Sequence, residues 1–396
     1  MRPSVCFVHD WLVDMRGGEK VLEALMELFP EAPIYTLFVN RKILSPAFER
    51  RAIHPSFLQY IPGITRLYRW LLPLFPLAIR TINVSSYDLV ISSSHCVAKA
   101  VRVGKNAVHL CYCHTPMRYL WGFEEVYFGK FHRTLRSLIQ FYFAWLKKWD
   151  VRTSEKVQHF IANSKNTAKR IQDYYGCRST VIHPPVEQRE GLRSREGKYY
   201  LIVSALVPYK RIDLAIEAFN RMKLSLKIVG SGPLRSELES LVKFRGIEFL
   251  GALDQVQLWD LYAQSRALIF PGEEDFGIVP VEAQMFGKPV IAYGKGGILD
   301  TVLAYNDPER RRSPDQSTGF FFYEQNPQAL IQALHESERL QFNPEFIRSH
   351  ARQFSKERFQ REITNMIAQT CPELNFVWET KSEKTNAYAN AGVKSK

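Results

Sequence analysis

The sequence predicts an α/β protein with two domains, each built around a parallel β-sheet. Its 396 residues exceed the usual size of a single hydrophobic core. Short apolar runs alternate with helix-like stretches along most of the chain, a pattern typical of parallel sheets. The composition, 46% hydrophobic and 23% charged, is that of a globular protein rather than a disordered or membrane-spanning one. In such folds ligands bind at the carboxyl ends of strands and between domains.

The first domain is predicted to span residues 1–185. Residues 4–9 form an apolar run typical of a buried strand, and Gly17-Gly18 then begins a helical pattern that ends before Pro30. Further strand-like runs follow at Asp88–Ser92, Ala107–Cys113 and His159–Ala162. Because the chain enters its first strand without an apolar leader, we expect a cytoplasmic protein, with peripheral contact to the inner face of the membrane as a further option.

The second domain is predicted to span residues 186–350. Charge rises and hydrophobicity falls just after Pro184-Pro185, which indicates a domain boundary. Five short apolar runs then alternate with helical patterns: Tyr199–Ser204, Leu226–Gly230, Ile247–Leu250, Ala267–Phe270 and Pro289–Ala292. We expect two successive Rossmann-like domains, a helix over residues 351–372 that returns to the first domain, and a largely disordered tail over residues 373–396.

The positive charge is concentrated in the first domain. The chain has a net charge of +13, and residues 1–185 contain 25 Lys and Arg against 13 Asp and Glu, a net of +12. This asymmetry suggests an anionic partner on that side, whether nucleic acid, a phosphorylated substrate or an acidic membrane surface.

One aromatic and basic segment, Arg66–Arg80, has two interpretations. It is too short and too interrupted by proline to span a bilayer. It is either a pair of core helices or an interfacial patch in which Trp70, Leu72 and Phe75 enter a lipid surface. The segment Phe128–Lys148 would extend such a patch.

The six cysteines are scattered, and the closest pair, Cys111 and Cys113, lacks the two-residue spacing of zinc and redox motifs. We therefore expect reduced thiols packed in the core.

Two glutamates eight positions apart, Glu274 and Glu282, are the most informative feature of the sequence. They lie between Pro271 and Gln284 and flank the apolar stretch Phe276–Val279. Carboxylates are costly to bury without partners. With a helix beginning near Pro280, Glu274 would precede the helix and Glu282 would lie in its first turn, where both could face a ligand. Acidic residues also stabilise helix starts electrostatically, so position alone leaves a structural role equally open.

Three loops are candidates for binding phosphate. Lys210 and Arg211 lie between the strand ending at Ser204 and the next helical pattern, which suits cations that neutralise a diphosphate. Gly17-Gly18 and Gly294–Gly297 offer backbone N–H groups without side chains in the way. Each signal is weak alone, since basic pairs and glycine pairs are also common in ordinary loops.

His114 follows the predicted strand Ala107–Cys113, at a position that would face the cleft. There it could bond a hydroxyl or transfer a proton, although a structural histidine fits the local sequence equally well. His9 occupies a similar position after the first strand. The sequence has no dinucleotide-binding glycine motif after a strand, no Walker loop and no His-Glu-x-x-His.

Together these motifs resemble the family 4 retaining glycosyltransferases of the GT-B fold, from about residue 4 to about residue 368. The matching runs are Glu274–Gln284, Pro208–Asp213, Gly17–Glu19 and Cys113–Pro116. Within that family they are most similar to bacterial mannosyltransferases that build surface polysaccharides or glycolipids.

The resemblance implies a role for each matching residue. Glu274 would contact the transferred sugar and Glu282 the ribose, while Lys210 would neutralise the diphosphate. Gly17 and Gly18 would close over the donor, and His114 would contact the sugar or acceptor. The backbone amides of the donor-binding segment would hold sugar hydroxyls, and its members are Phe276, Gly277 and Ile278.

One position departs from the family pattern. The family usually has an arginine ahead of the phosphate-loop lysine, where this chain has Ala205. Either Arg211 supplies the missing charge or Lys210 acts with less help.

The implied reaction transfers a sugar, with GDP-mannose as the expected donor, to a hydroxyl of a glycan or lipid-linked acceptor, with retention at the anomeric carbon. No cofactor or metal is expected, since no Asp-x-Asp pair precedes the site, and no nucleic-acid partner is expected. Two alternatives stay open: a soluble sugar-phosphate synthase or epimerase of the same fold, and a basic membrane- or nucleic-acid-binding module.

Overall fold

The computed structural model describes residues 3–121, 133–188, 197–374 and 376, with the backbone alone for residues 133–139. It contains two parallel sheets, of seven and six strands, and a small two-stranded sheet. The two-domain α/β fold predicted from the sequence is therefore confirmed.

The first sheet has the order β3-β2-β1-β5-β7-β8-β9, and all its neighbouring strands are parallel. Its strands are β1 (Val5–His9), β2 (Ile34–Thr36), β3 (Ile53–Pro55), β5 (Leu89–Ser94), β7 (Val108–Cys113), β8 (His159–Ala162) and β9 (Ser179–Val181), while β4 (Asn83–Val84) and β6 (Arg102–Val103) pair separately. Every residue of β1 and β5 is buried. Helices cover both faces of such a sheet, so its central strands are buried throughout, including the three serines that end β5.

The second sheet has the order β12-β11-β10-β13-β14-β15, again entirely parallel. Its strands are β10 (Tyr199–Val203), β11 (Leu226–Val229), β12 (Ile247–Gly251), β13 (Ser265–Phe270), β14 (Val290–Tyr293) and β15 (Gly319–Phe322). This is the strand order of the Rossmann fold, in which the chain reverses direction across the sheet between β10 and β13. The corresponding reversal in the first sheet lies between β1 and β5.

The helices connect the strands and cover the sheets. In the first domain they are Gly17–Leu28, Ile64–Leu67, Phe75–Thr81, Arg133–Ser154 and Lys165–Tyr175. In the second they are Ile212–Met222, Arg235–Ser240, Gln255–Gln264, Ile278–Met285, Ile298–Thr301, Pro327–Ser337 and Pro344–Ala351, followed by the long helix Lys356–Thr370. No helix within the described residues is long and apolar enough to cross a membrane.

The helix Lys356–Thr370 packs on the first domain although it follows the second in sequence. Phe359 and Ile363 lie in the same hydrophobic cluster as Phe7 and Leu25. The Gln360 side chain donates a hydrogen bond to the carbonyl of Ala24 at 3.1 Å. The chain therefore crosses between the domains twice, which limits how they can move relative to each other.

The aromatic segment after Ile64 combines features of both interpretations of the sequence. It forms two short helices joined by the 3₁₀ stretch Tyr68–Leu74. Leu72 and Phe75 are buried in the domain core, but the Trp70 side chain is 72% exposed. Of the three residues considered for a lipid surface, Trp70 alone is therefore accessible to one. Part of the second segment, Phe128–Lys148, lies outside the described residues.

Candidate active site in the interdomain cleft

The candidate residues come from loops at the carboxyl ends of the central strands of both sheets. In the first domain, His9 is the last residue of β1 and His114 follows β7. In the second domain, Lys210 follows β10 and Glu274 follows β13. His9 lies beside the reversal point of the first sheet, and Lys210 and Glu274 flank that of the second, where α/β proteins bind their ligands.

Lys210 and Glu274 form an ion pair between the Lys210 ammonium and Oε1 of Glu274. Their side chains are 13% and 20% exposed, so both are mostly shielded from water. Gly272 permits this approach, since a Cβ atom there would lie 2.8 Å from Cα of Lys210. The sequence brings a cation and a carboxylate together at a site that is largely enclosed.

The glycine loop after β14 supports the backbone of Glu274. Gly297 donates its N–H to the carbonyl of Glu274 at 2.7 Å, and Gly296 forms a β-bridge with Glu274. Gly296 has φ of +84°, and a Cβ atom there would lie 2.5 Å from the Glu274 carbonyl oxygen. In this structure the loop Gly294–Gly297 therefore holds the glutamate loop in place.

Apart from the Glu274 carboxylate, the surroundings of Lys210 disfavour its charge. Burial lowers the pKa of Lys210 to about 7, the positive charges of Arg118 and Arg16 act in the same direction, and Asp275 opposes them. An anion bound beside the ammonium would favour its protonated form. Lys210 therefore changes its charge in a pH range where a bound diphosphate would decide its state.

Glu282 lies two residues further into its helix than the sequence indicated. The helix begins at Ile278, so Glu282 is its fifth residue rather than a member of the first turn. Pro280 occupies the third position, which it tolerates because the first N–H groups of a helix have no intrahelical partner. The Tyr262 hydroxyl donates to Oε2 of Glu282 at 2.9 Å, and the Lys20 ammonium lies 3.5 Å from Oε1.

The glycine pair at the start of the first helix faces both halves of the site. A Cβ atom at Gly17 would lie 2.6 Å from Cδ1 of Ile278, a residue of the second domain. A Cβ atom at Gly18 would lie 3.6 Å from Nε2 of His114. The pair thus lies between His114 and the helix that carries Glu282.

His114 is held at the cleft by polar contacts from neighbouring strands. Its Nε2 lies 2.8 Å from Oγ of Ser93, and its carbonyl accepts a hydrogen bond from Asn163 at 2.8 Å. Burial lowers the pKa of His114 to about 3, and the nearby His95 and His9 act in the same direction. The imidazole is therefore neutral at neutral pH, suited to hydrogen bonding rather than to supplying positive charge.

Arg211 has partners within its own domain. It has φ of +51° and precedes the helix Ile212–Met222. Its guanidinium lies 3.2 Å from the Asp213 carboxylate and 3.3 Å from Oε1 of Gln325. Arg16 and Arg118, both from the first domain, are the arginines whose charges act on Lys210.

The predicted donor-binding segment lies at the start of the helix Ile278–Met285. Phe276 and Gly277 precede this helix, and Ile278 is its first residue. Phe276 is buried, with its ring 5.6 Å from His183 and 5.8 Å from Phe354. Gly277 has φ of +91° and stands at the N-cap position. The Phe276 side chain is thus part of the core, and its backbone amide remains the group proposed to face a ligand.

Asp275 links the two domains, a role the sequence analysis missed. Arg118 donates from Nε to Oδ2 at 3.0 Å, and Arg170 donates to Oδ1 at 2.7 Å. Ser164 also donates to the Asp275 carbonyl. Although burial opposes ionisation, the two arginines lower the pKa of Asp275. The available signal was the acidic run at residues 273–275, but nothing in it identified partners more than one hundred positions away.

Asp10 organises the neighbouring loop of the first domain and was also missed. It is fully buried and accepts four backbone N–H groups at 2.6 to 2.9 Å, from His95, Cys96, Val97 and Ala98. These bonds fix the turn that follows β5, the strand whose Ser93 contacts His114.

Within the described residues, no group of three or more His, Cys, Asp or Glu is arranged to hold a metal ion. All six cysteines are free thiols, five of them buried. Metal independence stays a prediction.

The two halves of this chain match models of known glycosyltransferase families. Residues 15–190 match the model of Glycosyltransferase Family 4, and residues 186–357 match the model of Glycosyl transferases group 1. The chain belongs to these glycosyltransferases, and its fold is GT-B.

Two curated relatives are mannosyltransferases. The O-antigen chain mannosyltransferase C of Escherichia coli is 25% identical over 52% of this chain and 55% of its own. The alpha-1,3/1,6-mannosyltransferase ALG2 of Kluyveromyces lactis is 27% identical over 58% of this chain and 55% of its own. The matches thus span about half the length of these relatives.

Among solved structures, HepE of Anabaena in complex with UDP and glucose has the same architecture. It aligns with a TM-score of 0.66 over 92% of this chain and 99% of its own, at 15% identity. At this identity the likeness confirms the fold alone.

Proposed function

We propose that this protein transfers a sugar from a nucleoside diphosphate sugar to an acceptor hydroxyl, with retention of anomeric configuration. The observation that carries the proposal is the shielded Lys210 and Glu274 pair at the cleft. In the absence of donor the two side chains neutralise each other. A bound diphosphate would compete for the ammonium and leave the carboxylate beside the sugar.

Three further residues have roles in this reaction. Glu282, oriented by Tyr262, binds the ribose hydroxyls, and Gly17 and Gly18 close over the donor from the other domain. The bond between the anomeric carbon and the phosphate oxygen breaks as the acceptor oxygen bonds to that carbon on the same face. The departing phosphate accepts the acceptor proton. Catalysis is then positioning and leaving-group stabilisation, and it proceeds in the presence of a chelator.

Mannose, supplied as GDP-mannose, is the proposed sugar. The support is the resemblance of the motifs and the names of two relatives, both mannosyltransferases. The complex of HepE with UDP and glucose makes UDP-glucose the principal competitor. A thermal-shift panel of nucleotide sugars separates them, since a ligand raises stability by mass action. A larger shift with UDP-glucose than with GDP-mannose would overturn this choice of donor.

The acceptor is proposed to be a glycan or lipid-linked molecule at an anionic membrane surface. The first domain carries nearly all the net positive charge. It also exposes large hydrophobic side chains on the two segments considered above: Trp70, Leu77, Phe141 and Trp145. Such side chains beside cations suit an interface of anionic lipid. Sedimentation with anionic liposomes tests this, and a Trp70→Ser/Phe141→Ser variant should bind less. A soluble synthase or epimerase would ignore the liposomes.

The proposed function is tested with purified protein and a panel of nucleotide sugars. Transfer or slow hydrolysis of a nucleotide sugar, lost in Glu274→Ala, supports it. Absence of both, together with unchanged nucleotide-sugar binding by Glu274→Ala, would falsify it. A binding module predicts that function survives loss of both Glu274 and Glu282.

A further inference from the structure

A series of polar groups connects the first helix to His114 through the interior of the first domain. Nε2 of His114 lies 2.8 Å from Oγ of Ser93, and the same oxygen lies 3.1 Å from Nδ1 of His9. On the other side of the His9 ring, Nε2 lies 3.8 Å from Oε1 of Glu19. His9 and Ser93 are fully buried, and Glu19 is 6% exposed. No role in the proposed reaction accounts for Glu19, Ser93 or His9.

The hydroxyl of Ser93 couples the two imidazoles because it has one proton. A hydroxyl donates to one neighbour and accepts from the other, and a neutral imidazole has one N–H and one bare nitrogen. If Ser93 donates to His9, it must accept from Nε2–H of His114. If it accepts from His9, it donates to a bare Nε2 and the proton of His114 moves to Nδ1. The tautomer of His9 therefore determines the tautomer of His114.

Glu19 decides which of these arrangements is present. Burial raises its pKa, but the contact with His9, a backbone N–H and the nearby His95 together lower the pKa of Glu19 to about 2. Glu19 is thus a carboxylate at neutral pH, facing Nε2 of His9. That nitrogen is buried and makes no hydrogen bond within the described part of the chain. In the neutral imidazole of His9, a carboxylate at this distance favours the proton on Nε2, which leaves Nδ1 to accept from Ser93.

We propose that Glu19 is a positioning residue that holds His114 in its Nε2–H tautomer, so that Nδ1 of His114 accepts a hydrogen bond from a hydroxyl of the bound sugar or acceptor. The inference rests on the proposed function for its ligand, but the tautomer itself does not depend on it. The charged and titratable groups acting on His114 are His95, His9, Glu19 and Asp10.

The test is ¹⁵N NMR of the full chain labelled at histidine, with the His114 signals assigned by a His114→Gln variant. In the wild type, Nδ1 of His114 should resonate as a bare nitrogen. In Glu19→Gln, the amide can donate to Nε2 of His9, which moves the proton of His9 to Nδ1. Ser93 then accepts from His9 and donates to Nε2 of His114, so Nδ1 of His114 should resonate as protonated. Glutamine keeps an oxygen for the Arg16 N–H that Glu19 now accepts at 3.0 Å, so the helix start is preserved.

The same variant should lower kcat by about 10- to 100-fold, the usual effect of losing a group that orients a functional histidine, with little change in donor KM. Glu23→Gln is the matched control, because Glu23 lies one turn along the same helix and bonds Ser45 instead. It should change neither the spectrum nor kcat.

Ser93→Ala provides a second, independent variant. It removes the coupling hydroxyl, so adding Glu19→Gln to it should leave the His114 spectrum and kcat unchanged. An unchanged His114 tautomer in Glu19→Gln overturns the proposal, as does an additive effect in the double variant. If the wild type transfers no sugar, the proposed function fails, but the NMR spectrum still determines the tautomer of His114.

Discussion

Lys210 is the residue whose charge is expected to control how donor binding depends on pH. Its pKa of about 7, lowered first by burial, means that its ammonium loses its proton as pH rises through neutrality. A diphosphate binds the protonated form, so we expect the donor Kd to rise by about tenfold per pH unit above that pKa. Calorimetric titration of a nucleotide sugar between pH 6 and about 9 measures this.

Lys210→Arg is the control for this titration. A guanidinium stays charged throughout the range, so the variant should bind donor with little dependence on pH. Equal dependence in the two proteins would assign the effect to another group and contradict the role given to Lys210.

Glu282 should contribute to donor binding rather than to turnover. Glu282→Gln keeps an acceptor for the Tyr262 hydroxyl but loses the charged hydrogen bonds proposed for the ribose. A charged hydrogen bond contributes about 1.5 to 3 kcal/mol, which corresponds to a rise of about 10- to 100-fold in donor KM. Steady-state kinetics test this against Glu273→Gln, a change on an exposed neighbour that pairs with Lys295. A fall in kcat with unchanged KM would contradict the assignment.

At this scale the sequence predicted the residues that a motif marks but not those that the fold brings together. The spacing of Glu274 and Glu282, and the position of Lys210 after a strand, indicated a site before any coordinates. Asp275 and Arg118 are 157 positions apart. Such a contact leaves no periodic signal, because it depends on how the two domains face each other.

At the scale of secondary structure, the loop after β14 should be required for activity more than for stability. Gly296→Ala places a side chain at φ of +84° and 2.5 Å from the Glu274 carbonyl oxygen. The backbone strain costs about 1–2 kcal/mol, and displacement of the Glu274 loop by about 1 Å can lower kcat by about 10²-fold. Thermal unfolding and kinetics of the same preparation separate the two effects.

Gly176→Ala is the matched control for the loop variant. Gly176 has φ of +68°, and a Cβ atom there would meet nothing within 4 Å. The variant should lose similar stability and keep its activity. Equal activity in the two variants would show that the glycine loop does not position Glu274.

The predicted elements that were found are those with strong apolar runs between turn signals. The strands near residues 4, 107 and 199 occur close to their predicted positions. The strands β2 and β3 were missed because each has three residues, too few for a pattern to stand out. The helix of Glu282 was placed two residues late because Pro280 was taken as its first residue, whereas proline is tolerated through the first turn.

At the scale of the whole molecule, the ion pairs of Asp275 with Arg118 and Arg170 should favour contact between the domains. Asp275→Asn removes the charge that both arginines share. We expect a larger radius of gyration by small-angle X-ray scattering and a donor KM raised by about 5- to 150-fold, the usual range of coupling between linked states.

Asp213→Asn is the control for Asp275→Asn, because it removes an equal charge from an ion pair within the second domain. It should leave the radius of gyration unchanged. If Asp275→Asn leaves both the radius of gyration and the donor KM at their wild-type values, the ion pairs of Asp275 do not stabilise contact between the domains.

Retaining transfer at the Glu274 and Lys210 site can be tested by ¹H NMR of the sugar product. Wild-type protein is incubated with GDP-mannose, an acceptor extract and EDTA, in parallel with Glu274→Gln and with Glu273→Gln as the neighbouring control. We expect a product with the anomeric configuration of the donor from the wild type and the control, and a rate lower by about 10²-fold or more from Glu274→Gln. A product of inverted configuration, or equal rates from all three proteins, would contradict it.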